Sequence, residues 1–221
     1  MELQQTIKTR KSVRAFLNKQ VNSSDIKKIL DIAKHSPSGV NMQPWEVAVV
    51  SGKKKLSIEE NLQTAFANNT PKTMEYDYYP KEWKEPYKSR RKETGLLMYQ
   101  TLGITREDKE KQFLQWQANY RAFDAPTVLY FFIDKDLAKG SYLDYGMFLQ
   151  SIMLSAVDLG LSTCTQAAFA EYSAIVKEEL DISEQKILLC GMAIGYEDQD
   201  HPINSYRTPR IDIEEFTKFY E

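Results

Sequence analysis

Strong charge of either sign is missing from this chain: 29 lysines and arginines face 31 aspartates and glutamates, a formal net charge of −2 over 221 residues. A protein so balanced has no overall positive field to hold a nucleic-acid backbone or an anionic membrane, so any basic cluster must act locally. Also missing is a run of about 18 apolar residues, the minimum for a membrane-spanning helix. There is no basic-then-apolar leader either, and the expected location is the cytoplasm. The two cysteines, Cys164 and Cys190, lie in apolar surroundings without CxxC or Cys/His spacing. That pattern argues against a disulfide framework or a zinc site and for buried free thiols. Of the two histidines, His35 falls at an expected helix end and His201 in a polar loop, and neither is assigned to chemistry. The nine glycines form no glycine-rich dinucleotide fingerprint, so the sequence does not choose between NADH and NADPH.

What is present is an ordinary globular composition, 42% hydrophobic and 12% aromatic, long enough for one sizeable core over residues 1–221. Helical and strand patterns alternate. Ser23 or Ser24 can cap a helix with Asp25 in its first turn and Ile26, Ile29, Leu30 and Ala33 on one face, ending before Pro37. Trp45 to Val50 reads as a short buried strand, and residues 52–70 as a helix with the apolar set Leu56, Ile58, Leu62 and Phe66. From Pro71 to Arg121 the composition shifts to Tyr, Trp, Lys and Glu, becoming helical from Gly95, and the stretch is expected to be a lid-like insertion. Ala125 to Asp134 is a continuous apolar run, the mark of a strand buried on both faces. Tyr145 to Leu159 is apolar nearly all round, a helix in the middle of the fold closed by Gly160 in a left-handed cap. Thr163 to Ala168 follows as a strand end or loop at the core, Ala174 to Leu180 as a helix, and Lys186 to Tyr196 as a strand with two glycines.

Three motifs carry chemistry. In TRKSVRAF, an extended backbone from Arg10 to Arg14 turns Arg10, Ser12 and Arg14 to one side and Lys11 and Val13 to the other. Two guanidinium forks and a hydroxyl then face one target, an arrangement suited to phosphate; the alternative is a solvated arm. NSYRTPR, Asn204 to Arg210, adds Arg207 and Arg210 near the other end of the chain, and the two pairs could share one anion. SPSGVNMQPW offers Asn41 and Gln43, amides able to read the edge of a heterocycle, or simply a helix stop and turn. In TCTQAAFA small residues let a flat ring approach the backbone, unless they serve tight packing.

Together these motifs, with DLGLSTCTQAAF, CGMAIGY and the closing RTPR in the same order over essentially the whole chain, resemble the nitroreductase family of FMN-dependent flavoenzymes. The segments PKEWKEPYKSRR, LGITRED and FDAP are most similar to its branch of nitrobenzoate-type reductases. The resemblance implies an α+β fold with a mixed, mainly antiparallel sheet surrounded by helices, built as an intertwined homodimer with FMN at the interface. It further implies that Arg10, Lys11, Ser12, Arg14, Arg207 and Arg210 hold the phosphate, ribityl chain or ring edge. Pro37, Ser38, Gly39 and Asn41 would come from the other subunit, while Gln166, Ala167 and Ala168 would present backbone amides to the reactive edge and Gln150 a polar contact. Some relatives carry Glu-Gly where this chain has Ala167 and Ala168, which leaves only a backbone role there.

The activity so implied is electron transfer from NADH or NADPH to a small planar acceptor, a nitroaromatic or quinone, by a ping-pong cycle with no catalytic side chain. Tyr76, Tyr78, Tyr79, Trp83, Tyr87 and Trp116 could cover the acceptor or pack the insertion onto a partner, and Arg90 or Arg91 could pair with a substrate carboxylate. Reductive dehalogenation of a halogenated tyrosine-like compound would need an acid, a tyrosine and a lysine in the lid; Glu75 and Tyr79 have the spacing, but no lysine fits. A flavin-binding protein without turnover is the alternative from another class.

Overall fold

The structure is a computed structural model that describes residues 1–221. Its elements are α1 (Leu3–Thr9), α2 (Ser23–Ala33), β1 (Glu46–Ser51), α3 (Gly52–Ala67), α4 (Tyr87–Thr101), α5 (Lys109–Gln117), β2 (Thr127–Asp134), α6 (Lys139–Asp158), β3 (Ser162–Gln166), α7 (Ser173–Leu180) and β4 (Lys186–Gly195). The four strands form one sheet in the order β1-β2-β4-β3 with antiparallel pairs throughout. Parallel pairing is confined to an isolated bridge between Ser12 and Thr163, which lays the N-terminal arm beside β3.

The apolar run of β2 makes the centre, as expected, with every residue but Asp134 buried. Because strand side chains alternate, Val128, Tyr130 and Phe132 enter a core with Ile58, Leu62, Tyr120, Phe169 and Val176, under α3 and α7. Leu129, Phe131 and Ile133 enter a second core with Ile26, Ile29, Tyr145, Phe148 and Ile152, under α2 and α6. Each fully buried Leu, Ile or Phe contributes roughly 1.5–3 kcal/mol, and the two layers clamp the sheet. Gly160 takes φ +73°, the expected left-handed cap. Gly191 allows a close approach: a Cβ there would lie 2.4 Å from the Phe169 ring. No helix is long and apolar enough to cross a membrane.

Several local expectations are corrected. The Trp45–Val50 strand is an edge strand, Glu46–Ser51, with only Val50 buried, because β2 covers one side of it alone. Leu56 is exposed, and the buried face of α3 is Lys55, Ile58, Glu59, Leu62 and Ala65. The N-cap of α2 is Asn22, with no side-chain capping bond, and α1 had no apolar stripe to announce it. The insertion turns helical at Tyr87, eight residues before Gly95, and neither α4 nor α5 buries a residue. Helix α6 begins at Lys139 and buries a single face, leaving Leu143 exposed. Beyond Arg210 the tail forms one short 3₁₀ turn, Ile213–Glu215, and leaves Ile213, Phe216, Phe219 and Tyr220 exposed.

Candidate functional site

Past α1 the chain straightens at Arg10 (φ −53°, ψ 128°), and the Val13 N–H donates to the Thr163 carbonyl at 3.0 Å. Val13 is buried, so the alternation of an extended strand decides the rest. Lys11 leaves the motif: its ammonium pairs with Glu197 at 2.6 Å and donates to the Asn204 carbonyl. This agrees with the alternation that turns Lys11 away from Arg10, Ser12 and Arg14. Lys11 opens instead onto a cleft of about 540 Å³ whose wall includes Glu197, Asp198 and Asp200, acids unsuited to phosphate. On the other side, Arg14 Nη1 donates to the Ser12 carbonyl at 3.3 Å and to the Tyr206 hydroxyl at 3.1 Å. The buried Cys164 thiol registers what gathers there: burial pushes it up, while Arg14, a hydrogen bond with Ser12, and Arg10 pull it down.

The far end of the chain comes to meet this arm. Asn204 is buried and organises the junction: its Oδ1 accepts from the Arg14 N–H at 2.8 Å, and its Nδ2 donates to the carbonyls of Ala15 and Asp198. The Arg207 guanidinium then donates to the carbonyls of Arg10 at 2.9 Å and Thr9 at 2.6 Å. Arg210 Nη1 donates to the Thr208 hydroxyl and carbonyl and to the Pro209 carbonyl. Burial, then Arg210, then Arg207 hold the Arg10 guanidinium below its ordinary value. None of Arg10, Arg14, Arg207 and Arg210 has a carboxylate within 4.0 Å. Arg10, Arg207 and Arg210, whose charges repel one another without a counter-charge, suit a multivalent anion, since such an anion relieves their repulsion and accepts bidentately, and Arg14 shares with Arg10 the surroundings of Cys164.

The small-residue loop sits at the other end of β3. Ala167 and Ala168 are half-buried and begin a 3₁₀ turn, Ala167–Tyr172, whose first N–H groups have no acceptor within the turn. Phe169, in the next position, is fixed against Gly191. The Gln166 side chain is turned inward: Nε2 donates to the Asn119 carbonyl at 2.8 Å, and Oε1 is buried without a partner. Gln150 is half-buried on α6.

Pro37, Ser38, Gly39 and Asn41 are not brought to the arginines. Their loop is fastened to α6 at Asp144, Met147, Phe148 and Ser151, whereas Lys11 and Val13 line the cleft with Val157 and Gly160. At 1.5 Å per residue the two regions lie about 15 Å apart along the helix. Val40, at the loop tip, is 94% exposed.

The insertion is rooted firmly at its start, and its second helix returns to the core, where Phe113 stacks on Phe66 at 5.0 Å. Glu75 pairs with Lys135 at 2.9 Å and Lys177 at 3.2 Å, the Tyr76 hydroxyl donates to the Leu189 carbonyl, and the Thr73 N–H donates to the Glu171 carbonyl. Aromatic contacts then run from Tyr142 through Tyr76, Tyr78 and Tyr79 to Trp83, over which Arg91 stacks at 4.9 Å. Arg90 reaches Glu215 of the tail at 4.0 Å. Glu75, the acid considered for a halogenated zwitterion, is held at the root by Lys135 and Lys177. Sequence reasoning also missed Asn204, Tyr206 and Asn119. Asn204 and Tyr206 stood in the NSYRTPR motif, where the arginines drew attention; Asn119 had no signal.

The sequence model described as the Nitroreductase family matches residues 7–196. A 4-nitrobenzoate reductase of Pseudomonas putida is 36% identical over 213 residues, covering 96% of this chain and 93% of that protein. The crystal structure of the FMN and NADPH-dependent nitroreductase NfnB from Sphigopyxis sp. strain HMH superposes with TM-score 0.96 at 35% identity, covering all of both chains. The FMN-dependent NfnB from Mycobacterium smegmatis, crystallised with NADPH, gives TM-score 0.94 at 31% identity over 99% of this chain and 97% of that one.

Proposed function

Because the chain belongs to the nitroreductase family, we propose that it is an FMN-dependent oxidoreductase passing electrons from NADPH or NADH to a nitroaromatic acceptor such as nitrobenzoate. One observation supports this above the rest: Arg10 feels the charges of Arg210 and Arg207 with no carboxylate within 4.0 Å, and Arg10, Arg14 and the Ser12 side chain all act on the Cys164 thiol, a cationic locus of the kind a terminal phosphate requires. The residues present therefore fit the cofactor. Bound FMN supplies a two-electron relay between nicotinamide and acceptor, used in a ping-pong order.

What the chain contributes is binding, orientation and polarity. The arginines and Ser12 would hold the phosphoryl group, and the backbone N–H groups of Ala167 and Ala168 would offer donors to the reactive edge of a bound ring. No acidic or basic side chain is asked to move a proton, and the Ala167–Ala168 pair leaves none at that position. Pro37, Ser38, Gly39 and Asn41 line the flavin of a second copy in a homodimer. Its formation covers the apolar residues one protomer leaves in water, Val40, Met42, Leu143, Phe216, Phe219 and Tyr220 among them. The segment 71–121, attached at its roots and unburied in α4 and α5, serves as a lid whose tyrosines face a planar acceptor, with Arg91 available to a carboxylate.

The test begins with colour. Protein reconstituted with FMN should be yellow, bleach on NADPH and recolour on 4-nitrobenzoate. Bleaching by dithionite but not by NADPH or NADH would make it a flavin-binding protein without turnover, and failure to take up FMN at all would end the reading.

A further inference from the structure

The loop between α2 and β1 is held in a conformation that its residues do not favour. Val40, Asn41 and Gln43 have φ of 46°, 60° and 51°, in the left-handed region where a β-branched valine is a true outlier. Its tip is solvent-exposed, so packing does not impose this shape. Internal bonds knit the loop to itself: Asn41 N–H to the Ser38 carbonyl and Met42 N–H to the Gly39 carbonyl at 3.0 Å, and Gln43 N–H to Ser38 Oγ at 2.9 Å. Attachment to the rest of the protein comes from one stripe of α6, positions 144, 147, 148 and 151, the repeat that shares a helix face. Ser36 Oγ meets Ser151 Oγ at 2.8 Å and the Met147 carbonyl, and Trp45 stacks on Phe148 at 4.7 Å. Those contacts fix the loop's two roots. The strained tip has a single tether, the Gly39 N–H donating to Asp144 Oδ2 at 3.0 Å.

Asp144 is itself unusual, a buried carboxylate, 8% exposed, with no cation within 4.0 Å. Burying a carboxylate without a cation is costly, and its evident compensation is a backbone N–H at the start of the strained turn. We infer that Asp144 is a positioning residue that locks residues 38–43 into the shape presented to the flavin of the partner copy. The inference deepens the proposed function and rests on it for the flavin, but not for the locking. Any acceptor at position 144 that keeps the bond to Gly39 preserves the loop, and its loss releases Val40 and Asn41 to relax toward ordinary φ values.

Two readouts separate these layers. Hydrogen exchange of the 36–45 segment, followed on the protein without flavin, should quicken at least tenfold in Asp144→Ala and stay near wild type in Asp144→Asn, whose amide oxygen still accepts from Gly39. FMN affinity by fluorescence titration should weaken roughly tenfold in Asp144→Ala, with a shifted visible circular-dichroism band of the bound flavin, and recover in Asp144→Asn. Adding Val40→Gly to Asp144→Ala should restore part of the affinity, because glycine adopts the left-handed turn without strain. Wild-type exchange rates in Asp144→Ala, or equal damage in Asp144→Asn, would overturn the locking role, whatever the fate of the flavin proposal. Quickened exchange with unchanged FMN affinity and spectrum in a flavin-binding wild type would overturn the link to the cofactor.

Discussion

Replacing Arg10 by methionine, which keeps the length of the stem and removes the charge, should move the flavin-free and flavin-bound proteins in opposite directions. Without an anion, Arg10 is partly buried beside Arg207 and Arg210, and both burial and those two charges hold its guanidinium below the ordinary value. The folded protein is thus penalised for this charge, and Arg10→Met should leave the thermal midpoint of the flavin-free protein unchanged or slightly higher. With FMN bound, one charge-assisted contact to phosphate is lost, worth about 1.5–3 kcal/mol, or about ten- to a hundredfold in Kd. At free FMN one hundred times the wild-type Kd the ligand adds about 2.7 kcal/mol of stability; a thirtyfold weaker variant keeps only about 1 kcal/mol. Paired thermal melts, with and without FMN, read both numbers in one experiment, and fluorescence titration gives Kd directly. A Kd within twofold of wild type would refute the phosphate assignment. A flavin-free midpoint that falls as far as the flavin-bound one would show that Arg10 is structural rather than a receptor for the anion.

Two further expectations follow from the core. Gly191→Ala drives a Cβ to 2.4 Å from the fully buried Phe169 ring, so it should cost about 3 kcal/mol, read as a lower denaturant midpoint at unchanged slope; a loss under about 1 kcal/mol would mean that the ring can give way. Lys55 and Glu59 form an ion pair at 2.7 Å on the buried face of α3, so Lys55→Met alone should cost about 3 kcal/mol, whereas Lys55→Met with Glu59→Leu should return to within about 1 kcal/mol of wild type in chemical denaturation. Burial raises Glu59 above the ordinary carboxylate value against the pull of Lys55, so the native state holds this proton more tightly than the unfolded chain. The group's contribution to stability is present at low pH and is lost as pH climbs from the ordinary value through the raised one. Relative to wild type, Glu59→Gln should therefore gain stability between pH 4 and pH 7; a constant difference across that range would contradict the assignment.

The sequence read best where one physical signal dominated. The run Ala125 to Asp134 carried no charge before its last residue and contains the central strand; Gly160 stood at the end of a long apolar segment and is its left-handed cap. The two arginine clusters were legible because so few acids lie near them, and the structure brings their chain segments together. What failed to show did so for identifiable reasons. Lys55 and Glu59 look like a solvated pair, and burial revealed only by the fold makes them core residues. Leu56 looked like a core residue but falls off the buried stripe of α3. Trp45 to Val50 has the composition of an inner strand, yet edge position depends on strand order, which no local pattern encodes. Strand alternation turned Lys11 away from the arginines, but its partner Glu197 lies 186 positions away, where no spacing rule points. Asp144 lies in a helix whose apolar content drew all the attention.

Arg207 closes a loop spanning 197 positions when it reaches the Arg10 carbonyl. Contacts of that sequence separation are entropically late to form, whereas the packed sheet and its helices bring together shorter stretches. Cofactor uptake should therefore wait on the final closure of the chain: a protein trimmed after Asn204 could still build its interior and yet remain colourless. The yellow of the mature protein would then report that folding had run to completion.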